Sequence, residues 1–259
     1  MNQLKSKTQQ MKNKMICFFF LIVFSFNFSN AQFNSEISGD FDGRKDFSLK
    51  QAFEQRLETH VLVMDNWGKY RDELLYELSD SVCEFINLES IDINGNLIKK
   101  LPPCFSKLVR LKELRFSMND FREFPKELLA LDSLKVGLFY MTEIDSLPEN
   151  ISQMKSLEYL SFRLTDLEYI PESFGDLQNL KELELNGCKI VSLPNSMGKL
   201  KQLQHLSMSH LENLMYFPQS IFELKGLKSI FFKKEDFKRL KLTKKEFRQK
   251  LPNCELTIF

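Results

Sequence analysis

A proline recurs at Pro102, Pro125, Pro148, Pro171, Pro194 and Pro218, at steps of 23 residues with a last step of 24. Each follows a large apolar residue: Leu101, Phe124, Leu147, Ile170, Leu193 and Phe217. A fold of long amphipathic helices is excluded, because proline inside a helix removes a hydrogen bond, clashes with the preceding turn and costs about 3 kcal/mol. Around these prolines a leucine-like register restarts at Leu88, Leu111, Leu134, Leu157, Leu180, Leu203 and Leu227. The stretch from Leu180 shows the full unit, with Leu183, Leu185, Ile190, Leu193-Pro194, Met197 and Leu200 before the restart at Leu203. The first half of each unit alternates like a short strand with one buried face. The spacing of Ile151, Met154 and Leu157, or of Phe174, Leu177 and Leu180, predicts a tight helical turn in the second half. The proline marks the corner where the chain leaves the strand and no ladder N–H is needed.

One such unit cannot bury its apolar side alone, but stacked units share a continuous core. The pattern LxxLxLxx(N/C)xLxxLPxxIxxL resembles the leucine-rich repeat family, in its Ras-group or "typical" form, over well more than half of the chain. The resemblance implies an α/β repeat solenoid: a horseshoe with a parallel sheet on its concave face and short helical or 3-10 turns on its convex face. It also implies protein recognition as the commonest use.

The ends read differently. Lys5, Lys7, Lys12 and Lys14 precede an apolar run from Met15 to Phe28, which ends in Ser29-Asn30-Ala31. Residues 1–31 are therefore expected to be a signal peptide, with no transmembrane anchor after processing; a spanning helix needs about 20 apolar residues. Their removal takes four Lys and no acid, moving the formal charge from +1 to −3. Residues 32–46 read as a flexible lead-in whose Asp40-Phe41-Asp42-Gly43 lacks the glutamate of a calcium loop. Residues 47–87 read as an amino-terminal cap. It begins with a capping box at Ser48 and Gln51, then has a strand over His60–Met64, a turn at Asp65–Gly68 beside Trp67 and a helix over Tyr70–Leu78. The cap ends in a degenerate repeat in which Ser79 replaces proline. Residues 88–232 are the repeats. Residues 233–259 are a basic carboxy-terminal cap, with a helix over Thr243–Lys250, Phe247 turned inward and a closing strand from Cys254. Residues 32–87 carry 6 basic and 12 acidic residues and residues 233–250 carry 9 and 3, runs that read as solvated ends.

No GxSxG, P-loop, HExxH, CxxC or Rossmann glycine pattern is present, so the chain reads as non-enzymatic and without a cofactor or metal. His205 and His210 share a repeat but need not converge. Cys188 occupies the N/C position, a structural place. Cys83 and Cys104 lie at nearly the same phase of neighbouring units, so a disulfide between them stays open.

Concave-face positions are the residues between and after the buried strand residues. Most are polar. Val136, Leu138, Tyr140 and Tyr159 form a candidate partner-binding patch, flanked by Arg115 and Arg163, with Glu182 and Glu184 beside it favouring a basic or mixed ligand. Gly137 stands where a leucine belongs, so a strand shifted by one residue, with Phe139 outward, is the competing reading. The resulting expectation is an exported module that binds a protein or peptide. The alternative is a structural or adhesive envelope component that binds glycan or assembles with itself. Nucleic acid is disfavoured, because the basic residues sit in one tail and are not interleaved with aromatics.

Overall fold

The computed structural model describes residue 57 and residues 60–64 and 74–259. The leader, the lead-in with Asp40–Gly43, the Ser48–Gln51 capping box, the Asp65–Gly68 turn and Trp67 lie outside the described residues. Those described form a sheet of nine parallel strands in chain order. They are β1 (Val61–Val63), β2 (Ser90–Asp92), β3 (Glu113–Arg115), β4 (Val136–Leu138), β5 (Tyr159–Ser161), β6 (Glu182–Glu184), β7 (His205–Ser207), β8 (Ser229–Phe232) and β9 (Glu255–Ile258). The chain is thus an α/β repeat solenoid, with a 3-10 turn on the return side of each coil from Asp80–Glu84 to Gln219–Glu223.

The corner prolines start these turns. Pro102, Pro125, Pro171, Pro194 and Pro218 hold φ between −66° and −75° immediately before them, and each carbonyl accepts the first bond of the turn. Proline suits that place because its own N–H would be orphaned there. In the degenerate first repeat Ser79 takes over, its Oγ accepting from Ser81 N at 3.3 Å. The expected helix over Tyr70–Leu78 is absent from its described part, residues 74–78. The backbone of Leu75 is committed to the next coil instead, its N–H donating to Asn96 Oδ1 and its carbonyl accepting from Leu97 N.

The seventh residue after each of the first six starts leaves the strand with positive φ: Gly95, Met118, Met141, Leu164, Gly187 and His210. The eighth turns a polar group into the core. Asn119 donates to Ile93 O of the coil below at 2.9 Å and to Phe116 O of its own at 3.0 Å, and accepts from Ile98 N. Thr142 bonds its own coil at Phe139 O, and Thr165 bonds Phe162 O of its own coil and Cys188 Sγ of the next at 3.5 Å. Cys188 reaches back to Phe162 O at 3.0 Å, and burial pushes its thiol up to about 12, as befits a structural cysteine. Leu211 can do neither, and its N–H is satisfied by Asp236 Oδ2 from the carboxy-terminal cap at 3.1 Å.

That cap holds a helix that the charge-rich sequence obscured. Helix α1 (Lys234–Arg239) buries Asp236 and Phe237, and α2 (Lys244–Lys250) buries Phe247. Arg239 pairs with Asp236 at 2.9 Å and donates to the carbonyls of Leu211 and Leu214. Most of the basic run is solvated, while its Asp236–Arg239 pair closes the last repeat.

Adjacent coils approach closely on the turn side. A Cβ added at Gly175 would lie 2.2 Å from Ser196 O and 2.5 Å from Ser196 Cβ. Gly175→Ala is therefore expected to destabilise by about 2–3 kcal/mol, as for overpacking of a tight interior, although alanine usually favours such turns. Equilibrium urea unfolding measures it. Ser196→Gly should not rescue it, because the nearest atom is a backbone oxygen; rescue would refute the steric account.

Candidate functional site

The strands pair without a slip, and this settles the third repeat. Leu114, Gly137 and Leu160 align, as do Glu113, Val136 and Tyr159. The one-residue shift does not occur. Phe139 points into the core and is fully buried, and Val136, Leu138 and Tyr140 take the outward, concave side of the sheet. Phe139 compensates for the missing side chain at 137: a Cβ there would meet its ring at 2.7 Å. The ring is held among Phe116, Phe124 and Phe162, with centroids 4.5, 5.3 and 4.9 Å away.

The candidate residues are brought together on β4, β5 and β6, with two corrections to their expected roles. Val136 is only 7% exposed, since Tyr159 and Glu113 flank it on the neighbouring strands, so it supports the patch more than it presents a surface. Arg115 does not offer a free guanidinium, because its Nε lies 2.5 Å from Glu113 Oε1. Leu138, Tyr140, Tyr159 and Arg163 are half-buried. The Arg163 guanidinium lies over the Tyr140 ring, 5.7 Å from its centroid, and its Nε is buried without an acceptor. Burial pushes the Tyr140 phenol up to about 12, and raises Tyr159 well above the usual phenol range with help from the Glu184 carboxylate.

On β6, Glu184 Oε2 accepts from Ser161 Oγ at 2.9 Å. Burial, and then the adjacent Glu184, push Glu182 up to about 7. On β7, His205 Nδ1 lies 2.7 Å from Ser229 Oγ. His210 lies on the turn beyond, near the Phe259 ring. Among the described residues no group of three or more His, Cys, Asp or Glu side chains is placed to hold a metal ion.

Two surfaces were not singled out from sequence. The sheet face extends to β1, where Val61 and Val63 are 40% and 59% exposed. The alternation of His60–Met64 carried that signal, since a strand in phase with β2 must share its outward side. Off the sheet face, a recess of about 320 Å³ is lined by Arg122, Glu143, Asp145, Asp166, Glu168 and Lys189. Its cations are already paired, Arg122 with Glu143 and Lys189 with Asp166.

Comparison with known proteins agrees with this architecture. Residues 136–254 match the family described as "Leucine-rich repeat region", and residues 87–108 match "Leucine Rich Repeat". The chain belongs to the leucine-rich repeat family. Among solved structures, it resembles a leucine-rich repeat protein of Leptospira interrogans at 26% identity and TM-score 0.53, covering 71% of this chain and 58% of that one. The functional domain of InlJ from Listeria monocytogenes, which includes a cysteine ladder, matches at 13% identity and TM-score 0.55, over 71% of this chain and 36% of that one. The leucine-rich repeat domain of the type III effector XopL matches at 17% identity and TM-score 0.62, over 84% and 86%. The last two show the fold alone. The chain spans little more than half of the first structure's length and about a third of the second's. No curated protein matches it. Among the described residues no helix is long and apolar enough to cross a membrane.

Proposed function

We propose that this leucine-rich repeat module binds a protein or peptide on its concave sheet face, outside the cytoplasm and without catalysing a reaction. One observation carries the reading: Leu138, Tyr140, Tyr159 and Arg163 gather on β4 and β5 of a face that is otherwise largely polar. Tyrosine and arginine supply large contact area with few rotors to freeze, which is why they dominate interface energetics. Here they are already half-buried against their neighbours, so little ordering remains to oppose association. Export is supported by the leader pattern of residues 1–31 and by the Cys83–Cys104 bridge, since disulfides persist in oxidising compartments.

Affinity capture with cross-linking from extracellular and envelope fractions tests the proposal, with the full chain as bait beside a Tyr140→Glu/Tyr159→Glu variant. A protein held by the first and lost from the second, with unchanged circular dichroism, is the expected result. Glycan retained equally by both, or no protein on either, would overturn it in favour of a structural or adhesive role.

A further inference from the structure

We infer that the segment bound at this face carries a lysine or arginine side chain, which docks against Glu182 and Glu184 on β6. The inference rests on the concave-face reading above and specifies its ligand.

Several acids of this chain pair with cations of a neighbouring coil. Glu89 meets Lys112 at 2.7 Å, Glu158 meets Lys135 and Lys181 at 2.9 and 2.6 Å, Asp166 meets Lys189 at 3.0 Å and Asp176 meets Lys199 at 3.5 Å. On the sheet face itself, Glu113 meets Arg115. Glu182 and Glu184, half-buried on the same face, make no ion pair among the described residues. Their cross-strand neighbours are Tyr159 and Ser161 on β5 and His205 and Ser207 on β7. His205 cannot serve as the missing cation, because burial and Lys228 lower its pKa and its Nδ1 is engaged with Ser229. Arg163, on the adjoining coil, lies over the Tyr140 ring.

The face therefore holds two half-buried carboxylates short of a cation and, one strand away, a buried guanidinium N–H short of an acceptor. An extended peptide with a basic residue has both complements, its side chain for the glutamates and a backbone carbonyl for Arg163. The phenol rings of Tyr140 and Tyr159 would flank the aliphatic stem of that side chain. A charge-assisted contact in a partly desolvated place is stronger than the same contact in water. A metal ion is the poorer occupant, because no third carboxylate, histidine or cysteine joins the pair.

The pH dependence has a definite sign. The titratable groups in register around Glu182 are Glu184 on its own strand, Tyr159 from β5 and His205 from β7. Tyr159 stays protonated throughout the neutral range. Glu182 gains its charge as the pH rises through about 7, and His205 sheds any proton below that. Both changes favour a cation, so binding should strengthen from pH 6 to pH 8.

A displayed library of random twelve-residue peptides, selected on the full chain at pH 8, provides the probe. Selected peptides should be rich in Lys or Arg, and replacing the critical one by norleucine should weaken binding about tenfold, the size of one good charge-assisted contact. Glu182→Gln/Glu184→Gln should lose a similar factor, and should no longer distinguish lysine from norleucine. If selected peptides lose binding with Tyr140→Glu but show no basic preference and ignore Glu182→Gln/Glu184→Gln, the inference is overturned and the concave-face reading stands. If they ignore Tyr140→Glu as well, or none is selected, both fail.

Discussion

Truncation of Phe139 to alanine is expected to cost about 4–5 kcal/mol of unfolding free energy, the upper end for a core phenylalanine. Cost rises with the cavity left behind, and this site cannot collapse. The residue that would normally fill it is Gly137, which has no side chain, and the surrounding groups are the stacked rings of Phe124 and Phe162 and the edge-on ring of Phe116. The converse change is also harmful. Gly137→Leu restores the leucine of the repeat pattern, yet its Cβ would lie 2.7 Å from the Phe139 ring and 3.2 Å from Leu160 Cδ1. A loss of about 2–3 kcal/mol is expected from this overpacking. The double variant Gly137→Leu/Phe139→Leu should recover most of both losses, because volume is then conserved within one coil. Equilibrium denaturation of the wild type, Gly137→Leu, Phe139→Leu and the double variant measures the coupling. Simple additivity of the two single losses would show that Phe139 is not what fills the space at 137.

Loss of the bridge between Cys83 and Cys104 is expected to lower stability by about 3 kcal/mol, the loop-closure entropy of a loop of this size. The two residues are 21 apart in sequence and sit on neighbouring coils, with Cα atoms 5.8 Å apart. The bridge ties the first repeat, whose corner lacks proline, to the first regular one. Without it, the amino-terminal coil is held by its short turn, the β1–β2 pairing, the Leu75 bonds to Asn96 and Leu97 and the burial of Leu78, Val82 and Phe85. Cys83→Ser/Cys104→Ser should therefore lower the melting temperature by roughly 6–12 °C. Hydrogen exchange should speed up first at residues 74–88, since coils contact only their neighbours and open from the end. Thiol titration of the denatured, unreduced chain should find two fewer thiols than after reduction. An unchanged count with an unchanged melting temperature would mean that the bridge does not form.

Much of the architecture was legible in the 23-residue period, including its prolines, its strands and the closing strand at the carboxyl end. The reason is local: phase within one coil decides which side chains turn inward, and phase is a property of spacing. Phe247 and Cys188 were readable for the same reason. Other features depended on what the adjacent coil places about 5 Å away. The packing of Phe139 between Phe116 and Phe162 and the covering of Val136 by Glu113 and Tyr159 are of this kind. So are the Asp236 bond to Leu211, which made a helix of an apparently solvated run, and the closing of the disulfide. The candidate site divides along the same line. Its residues and their shared face followed from the repeat, whereas the lack of a cation beside Glu182 and Glu184 appeared only once the coils were stacked. An ion pair between coils needs two side chains at matching phase and correct reach. Spacing alone supplies the first of these, and only the tertiary structure decides the second.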